Sequence, residues 1–215
     1  MRLLHQALPF ILVALLAITM AACSASPSSS SESTKAAPES AATTNQQQTQ
    51  QRITLPQDET GLISTIADFR RRYESASNEF QKSALRRNRG QALSQILSDR
   101  NVQNWIGVVS SMTTTSDGHG SIALKVPETA PLTIKTWSNG LSDVDDGTLI
   151  SPESPVYEQV SRLAIGTTVV FSGSFLSSEM DYVKEASVTE EGSMMEPELI
   201  FRFEAIRPWT PEHAN

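Results

Sequence analysis

The chain begins with two segments of opposite character. Residues 7–22 are almost entirely apolar, whereas residues 24–51 contain no Leu, Ile, Val, Phe, Tyr or Trp. A segment of the second kind cannot bury enough apolar surface to offset the entropy that ordering costs. The pattern therefore predicts a flexible linker that reaches about 30 Å as a coil.

A helix is predicted over residues 62–80, where the apolar positions recur at the three- and four-residue spacing of one helix face. The stripe consists of Leu62, Ile66, Phe69, Tyr73, Ala76 and Phe80. Acidic and capping residues at 58–60 are typical of a helix start. Gly90 is predicted to end or interrupt the helix, with a further turn or two after it.

Two roles of this stripe remain open. It could be a short coiled-coil seam, or it could pack onto the domain that follows. Because it covers fewer than the three or four heptads of a secure coiled coil, we expect docking, with Ile66, Phe69 and Tyr73 buried. The basic clusters at 70–72 and 86–89 then lie close to carboxylates of that domain. Contact with anionic lipid or phosphate, or a solvated helix face, is the alternative.

From residue 101 onward the apolar spacing changes to two, which is typical of β-strands. Strands are predicted at 105–112, 122–126, 132–136, 169–175 and 199–203, with a further short strand at 186–189. The turn at 116–120 joins the first two strands into a hairpin. A short helix is predicted at 156–163, and Gly166 follows its end.

Three strands, a helix and two or more strands follow one another in an order that resembles the OB-fold, a small and partly open barrel. Gly107 resembles the bulge position that lets the first strand curl through both sheets. Segments 171–175 and 187–194 resemble an uncharacterised bacterial OB-like group, and this resemblance implies no catalytic residues. An immunoglobulin-like sandwich is the alternative, which the internal helix disfavours.

The tetrapeptide Met20-Ala21-Ala22-Cys23 closes the apolar run and holds the single cysteine of the chain. It resembles a bacterial lipobox, and the run is shorter than the roughly 20 residues of a spanning helix. The resemblance implies a cleaved signal peptide and a membrane anchor on Cys23. Ser24, in place of an aspartate that would resemble an inner-membrane retention signal, favours the outer membrane, facing the periplasm. An incidental cysteine after an ordinary signal peptide is the alternative.

The predicted fold class is α+β, with an N-terminal helical segment followed by a small OB-like β-barrel that has an interstrand helix. The predicted organisation is a signal peptide (1–22), a lipidated cysteine and disordered linker (23–57), the helical segment (58–99), the barrel (100–208) and a tail (209–215). The chain is thus expected to carry one barrel with a helical appendage on a lipid-anchored tether.

Formal charge differs sharply between the two folded parts. Residues 52–100 carry nine Lys/Arg and six Asp/Glu, a formal charge of +3, whereas residues 101–215 carry six and sixteen, a formal charge of −10. Nucleic-acid binding needs basic side chains for phosphates and aromatic ones for stacking. The outer face of the second and third strands offers mainly Lys125, Lys135 and Trp137, which form the candidate binding face. Nucleic acid is therefore not expected as a partner.

Candidate catalytic residues are few. The three histidines lie in the signal peptide, in a Gly-flanked turn and in the tail: His5, His119 and His213. No nucleophilic triad and no metal-binding His pair can be assembled from their spacing. We therefore expect no enzymatic activity and no cofactor.

One acidic cluster is a candidate metal site. Asp143, Asp145 and Asp146 precede Gly147, and clustered carboxylates beside a glycine turn can wrap a calcium ion. The glutamate that a helix-loop-helix calcium loop needs at a fixed later position is not clearly provided. An ordinary Asx-rich turn is the expected arrangement.

These observations predict a lipid-anchored cell-envelope protein that acts as a non-catalytic binding or scaffolding module with an envelope protein as partner. Two alternatives belong to other classes. The first is a periplasmic oligosaccharide or nucleic-acid binder that uses the OB-like face. The second is a metal-dependent hydrolase that uses the acidic cluster.

Overall fold

The computed structural model describes residues 53–126 and 131–211. The predicted signal peptide, Cys23 and most of the linker lie outside the described residues, as does the end of the tail. The described residues belong to one compact unit of the chain, which runs from Thr49 to Asn215.

Two long helices come first, and short helices then separate groups of strands. The helices are α1 (Gln57–Glu74), α2 (Glu79–Ile96), α3 (Gly140–Asp143), α4 (Pro155–Ser161) and α5 (Glu190–Met195). The strands are β1 (Asn101–Thr114), β2 (Gly120–Lys125), β3 (Thr133–Lys135), β4 (Thr168–Phe175), β5 (Ser177–Ser178), β6 (Tyr182–Val183) and β7 (Glu198–Pro208).

Five strands close a small mixed barrel in the order β1-β2-β3-β7-β4, and β4 returns to β1. The β3–β7 pairing is parallel, and the other barrel pairings are antiparallel. The α+β class is therefore confirmed as a small closed barrel accompanied by several helices. Strands β5 and β6 form a separate two-stranded hairpin, which the sequence pattern did not predict.

The long strand β1 is shared between two neighbours. It pairs with β4 up to Val108 and with β2 from Val108 to Thr114. The ladders shift register at 102–105 and at 109–111, on either side of Gly107, so the prediction of a bulge at Gly107 is wrong. Asn104, which lies within the first of these register shifts, has a positive backbone φ of 57°.

Gly107 is needed because the barrel interior is crowded at this point. A Cβ there would lie 3.1 Å from the Cβ of Leu124 and 3.3 Å from the ring of Phe171. Five aromatic rings fill the same interior, mostly with edge-to-face contacts, which aromatic quadrupoles favour. Their centroids are 5.6 Å apart for Trp105 and Phe175, and 4.9 Å apart for Phe175 and Phe201.

The predicted alternation of β2 and of the segment around β3 is confirmed. The inward positions are all buried: Ile122, Leu124, Val126, Leu132, Ile134 and Thr136. The expected strand at 186–189 is wrong, because only Glu185 bridges Leu199 there and Thr189 caps α5 with its side chain. The segment instead leads into a short helix that packs against α1.

The predicted docking of the helical stripe is confirmed, but its continuity is not. Leu62 and Ile66 join the barrel core, while Phe69 and Tyr73 pack with Met194 of α5. The helix ends at Glu74 and a second one starts at Glu79, so the later part of the stripe turns away and Phe80 is 89% exposed.

The prediction that Gly90 ends or interrupts a helix is wrong, because Gly90 lies inside α2. Its role is close packing. A Cβ at Gly90 would lie 2.9 Å from the carbonyl oxygen of Met180, so the backbone of α2 can approach the β5–β6 hairpin only without a side chain there.

A buried ionic network joins α2 to the β5–β6 hairpin, to the segment after it and to α5. Arg86 forms two hydrogen bonds of 2.8 and 2.7 Å with the carboxylate of Asp181. Arg89, which is 1% exposed, donates to Glu185 and to the carbonyl oxygen of Ser193 at 2.6 Å. Burial raises the pKa of Glu185, and the charge of Arg89 opposes that shift.

The expected proximity of basic clusters to the carboxylates of the barrel is thus confirmed for the second cluster only. In the first cluster, Arg71 and Arg72 pair with Asp68 on their own helix. These are exposed pairs at helical spacing, which contribute about 0–1 kcal/mol each. They do not hold α1 against the barrel.

Glu59 joins the start of α1 to β1. Its side chain is fully buried, and its Oε2 accepts a 3.0 Å hydrogen bond from the backbone N–H of Ile106. The other carboxyl oxygen is buried without a hydrogen-bond partner. Burial raises the pKa of Glu59 to about 8, although the bond from Ile106 opposes this shift. At neutral pH this carboxyl group is therefore mostly protonated.

Phe69 and Phe80 belong to the same predicted stripe and provide a matched test of docking. We expect Phe69→Ala to lower the free energy of unfolding by about 3 kcal/mol, since it leaves a cavity beside Tyr73 and Met194. Phe80→Ala, at an exposed position, is expected to change it by less than about 0.5 kcal/mol. Denaturant titrations of both variants measure the difference. Similar losses in the two variants would contradict the docking arrangement.

Glu59 is expected to make stability depend on pH. Its pKa is about 8 in the folded protein, against an ordinary value of 4.5, so between these pH values the folded chain binds more protons than the unfolded chain. Stability should then fall as pH rises through this window, by up to about 1.4 kcal/mol per pH unit. We expect Glu59→Gln, which keeps an acceptor for Ile106, to flatten the dependence when denaturation is measured between pH 5 and pH 8.

Glu79→Gln is the control for this experiment, because the carboxylate of Glu79 is 81% exposed on α2. It should leave the slope of stability against pH unchanged. A Glu59→Gln slope equal to that of the wild type would show that Glu59 is charged in the folded protein.

Candidate functional site

The predicted binding face lies on the outer side of β2 and β3. Lys125 is exposed there, Lys135 is half-buried, and the ammonium group of Lys135 lies 3.1 Å from the carboxylate of Glu198. Trp137 follows β3 and is half-buried. One of the two lysines thus already has an acidic partner.

Trp137 is fixed by the acidic cluster that follows it. Its indole N–H donates a 2.6 Å hydrogen bond to Asp146, which also accepts one of 2.6 Å from the ammonium group of Lys184. Burial alone would raise the pKa of Asp146, but the bonds from Lys184 and Trp137 outweigh it and lower the pKa. The carboxylate is therefore charged and doubly engaged.

Asp143 stabilises the same loop through hydrogen bonds to its buried carboxylate. Its carboxylate accepts bonds from the backbone N–H and the hydroxyl of Thr148 at 2.6 and 2.7 Å, and from the N–H of Leu149 at 2.9 Å. The hydroxyl of Thr148 in turn accepts a 2.9 Å bond from the backbone N–H of Trp137. Arg202 of β7 donates to the carbonyl oxygens of Asp146 and Gly147. The loop is thus tied to the barrel at several points.

The carboxylates of the metal candidate point to different partners. Asp143 is buried and bonded within the loop, Asp145 is exposed, and Asp146 pairs with Lys184. Within residues 53–126 and 131–211, no group of three or more His, Cys, Asp or Glu side chains could hold a metal ion. The arrangement is that of an Asx-rich turn, in which carboxylates satisfy nearby backbone donors.

Helix α3 exposes apolar side chains on this loop. Asn139 caps its start by accepting a 2.9 Å bond from the N–H of Ser142. Leu141 is 89% exposed and Val144 is 76% exposed, and their spacing of three places them side by side on one helix face. We call the surface formed by Leu141 and Val144 the α3 face. The sequence signal for it is the pair of large apolar residues at 141 and 144 inside a polar stretch.

A cleft with a volume of about 350 Å³ lies between the β1–β2 hairpin and α4. Its apolar lining comes from Met112, Ile150, Tyr157, Val160 and Leu163, and hydroxyl groups of Ser and Thr complete it. Small apolar groups fit such a lining.

His119 is the histidine that falls within the described residues, and it lies in the turn before β2. Its Nδ1 is 2.9 Å from the carboxylate of Asp117, and its side chain is 39% exposed. The hydrogen bond from the hydroxyl of Thr115 is the main reason that the pKa of Asp117 is lowered. These contacts stabilise the turn of the hairpin.

Comparison of the chain with models of protein families, with curated proteins and with solved structures gave no significant match. Within residues 53–126 and 131–211, none of the helices has the length and apolar content that crossing a membrane requires.

Asp143 and Asp145 allow a matched test of the loop. Asp143→Ala removes the acceptor of three hydrogen bonds, and orphaned donors cost about 1–3 kcal/mol each. We expect it to lower stability by at least about 2 kcal/mol and to accelerate hydrogen exchange at Thr148 and Leu149. Asp145→Ala should leave both quantities close to wild type. Equal effects would contradict the assigned role of Asp143.

Proposed function

We propose that this chain is a lipid-anchored protein of the bacterial cell envelope whose barrel is a non-catalytic binding or scaffolding module. The observation that supports this most is the α3 face, which exposes Leu141 and Val144 on a loop held by hydrogen bonds. Apolar residues grouped on a surface commonly mark interaction sites. A loop that is fixed in advance loses less conformational entropy on binding.

The partner is an envelope protein. Exposed aliphatic side chains match the apolar centre of a protein interface. Asp145, exposed next to Val144, and the ion pair of Asp146 with Lys184 supply charged groups of the kind found at an interface rim. A small uncharged contact surface of this kind suits association with a protein more than with a polyanion.

Anchoring occurs through the lipid on Cys23, after removal of the apolar segment 7–22. The linker before the folded unit keeps the barrel away from the lipid headgroups. Ser24 directs the protein to the outer membrane, facing the periplasm.

The barrel belongs to the OB-like class. The order β1-β2-β3-β7-β4, the parallel β3–β7 pairing and the position of α4 between β3 and β4 support this assignment. Fold likeness alone carries no ligand, since barrels of this architecture serve many functions.

The alternative function is binding of an oligosaccharide or a nucleic acid at Lys125, Lys135 and Trp137. The indole of Trp137, which is only half-buried, favours it, because sugar rings and bases both stack on aromatic rings. The formal charge of −10 on residues 101–215 opposes nucleic acid. Saturable binding of a labelled oligonucleotide or glycan at physiological salt would favour this alternative. A metal-dependent hydrolase is supported least, because the oxygens of Asp143 and Asp146 are engaged.

A photo-crosslinking residue at position 141 tests the α3 face in living cells. We expect it to label a discrete envelope protein, because Leu141 is the more exposed residue of the face. The same residue at Val188, which is fully exposed elsewhere, is the control and should not label that protein. Equal labelling from both positions would contradict the proposal for the α3 face.

The Cys23→Ser chain provides a second arm of the same experiment. Without the thiol, no diacylglycerol can be attached, so we expect loss of fatty-acid labelling and an unprocessed or soluble product. Crosslinking from position 141 should weaken, since anchoring concentrates the chain at the membrane. Unchanged fatty-acid labelling of Cys23→Ser would exclude this anchor.

A further inference from the structure

The first turn of α1 is weakly secured on its own helix. Each of the other helices in the described part of the chain has a side-chain cap at its start, whereas Pro56 gives α1 none. Thr60 closes the turn with two bonds to the carbonyl oxygen of Pro56, from its N–H at 2.9 Å and from its hydroxyl at 3.0 Å. A helix start without a side-chain cap is less stable than a capped one. This turn can therefore open more readily than the body of the helix.

Gly61 separates the first turn from the part of α1 that is firmly packed. Glycine favours a helix less than any residue except proline. A Cβ at Gly61 would lie 3.3 Å from the side chain of Ile96, so the close packing of α1 on α2 favours glycine at this position. Leu62, the next residue, is fully buried in the barrel core, and Ile66 is buried with it. The helix can thus unwind before Gly61 while the rest of it stays docked.

Glu59 is the contact by which this turn reaches the barrel. Its carboxyl group accepts the 3.0 Å bond from the N–H of Ile106, on β1 before the pairing with β2 begins at Val108. The other carboxyl oxygen is buried and has no hydrogen-bond partner among the described residues. A neutral carboxyl group tolerates such a site, whereas a charged one with a single bond does not. The contact is therefore stable only while Glu59 carries its proton.

The charges around Glu59 do not compensate its ionisation. Strand β1 contains no charged residue, and the end of α2 that packs on this turn presents the apolar side chain of Ile96. Lys125, at the end of β2, is exposed. Asp58 adds to the effect of burial, and together they raise the pKa of Glu59 to about 8, with no basic side chain of the described residues among the groups that shift it. A charge on Glu59 can therefore be stabilised only by water, which the packed turn excludes.

We propose that Glu59 is a proton-operated latch, whose neutral carboxyl group holds the first turn of α1 against β1 and whose ionisation releases residues 53–60 while the helix from Leu62 onward stays docked. The latch rests on neither the lipid anchor nor the α3 face. Release uncovers the backbone of β1 at Ile106. It also adds eight residues to the predicted linker, and these span up to roughly 26 Å when extended. In an anchored chain, the reach of the barrel from the membrane then depends on pH.

Hydrogen exchange at the amide of Ile106 reports the state of the latch. The closed turn holds the proton up to a pH of about 8, whereas the open turn loses it near the ordinary value of 4.5. The open population should therefore rise about tenfold per pH unit between pH 5 and pH 8 and level off above pH 8. We expect the protection factor of Ile106 to fall by the same factor, measured residue by residue in the full chain.

Denaturant separates release of the turn from global unfolding. A local opening exposes little surface and is insensitive to low denaturant, whereas global unfolding depends on it steeply. We expect the protection of Ile106 to be unchanged by low denaturant. That of Phe175, whose N–H is bonded to the carbonyl oxygen of Arg100 at 2.9 Å, should fall. Phe69→Ala, which destabilises the whole fold, should likewise lower the protection of Phe175 and leave that of Ile106 unchanged.

Glu59→Gln and Asp58→Asn are the matched variants. Glu59→Gln keeps an acceptor for Ile106 but cannot ionise, so the protection factor of Ile106 should be equal at pH 5 and pH 8. Asp58→Asn, on the same turn, should keep the pH dependence because Glu59 still ionises. If Glu59→Gln does not fold, the denaturant series and Phe69→Ala still decide, since both leave Glu59 in place.

Three results would overturn the proposal. A denaturant dependence at Ile106 equal to that at Phe175 would show that only global unfolding exposes Glu59. A loss of protection at Ile106 in Phe69→Ala would show that α1 undocks as a whole. A pH dependence that persists in Glu59→Gln would assign the release to another group. Fatty-acid labelling of Cys23 and crosslinking from position 141 do not enter these measurements, so failure of the latch and failure of the proposed function are distinguishable.

Discussion

The buried guanidinium group of Arg89 is the constraint on which the arrangement of helices and barrel depends. A buried charge is tolerated only when partners surround it, and its partners here are Glu185 and Ser193. Glu185 is also bridged through its backbone to Leu199 of β7. A shift of α2 along the barrel would leave two opposite charges buried and separated, so the ion pair specifies one position for the helix.

The helical pair follows from that position. With α2 fixed, α1 packs between it and the barrel, where Leu62 and Ile66 enter the core and Glu59 contacts β1. Apolar burial supplies most of the stabilisation, at about 1.5–3 kcal/mol for each large side chain. The charged contacts add specificity, because they cannot be satisfied in an alternative register.

The sequence predicts elements well where burial is periodic. Alternation identifies the strands that contribute Ile122, Leu124 and Ile134, since one face of each strand is buried. The helical stripe identifies docking but misses the break before Asn78, whose side chain caps α2. The three- and four-residue spacing of the apolar positions continues across that turn by coincidence. The signal for the break is the local cap of Asn78 and Gln81, which the apolar spacing does not report.

The candidate site is predictable only in part, because its short elements have no period. The sequence places Lys125, Lys135 and Trp137 on one outer face and offers an Asx-rich turn for the aspartates. It does not show that Asp146 binds the indole of Trp137 or that Lys184, almost forty residues away, completes the contact. A helix of four residues such as α3 is equally hidden, although Leu141 and Val144 are conspicuous in a polar stretch.

The division of β1 between two neighbours also sets an order of assembly. Its second half meets β2 across a short turn, whereas its first half waits for β4, which begins about fifty residues later. Local contacts form before distant ones, since closing a long loop costs more entropy. The uncharged first half of β1 therefore stays unpaired on that side until β4 has formed, and during folding it is a strand edge exposed to aggregation.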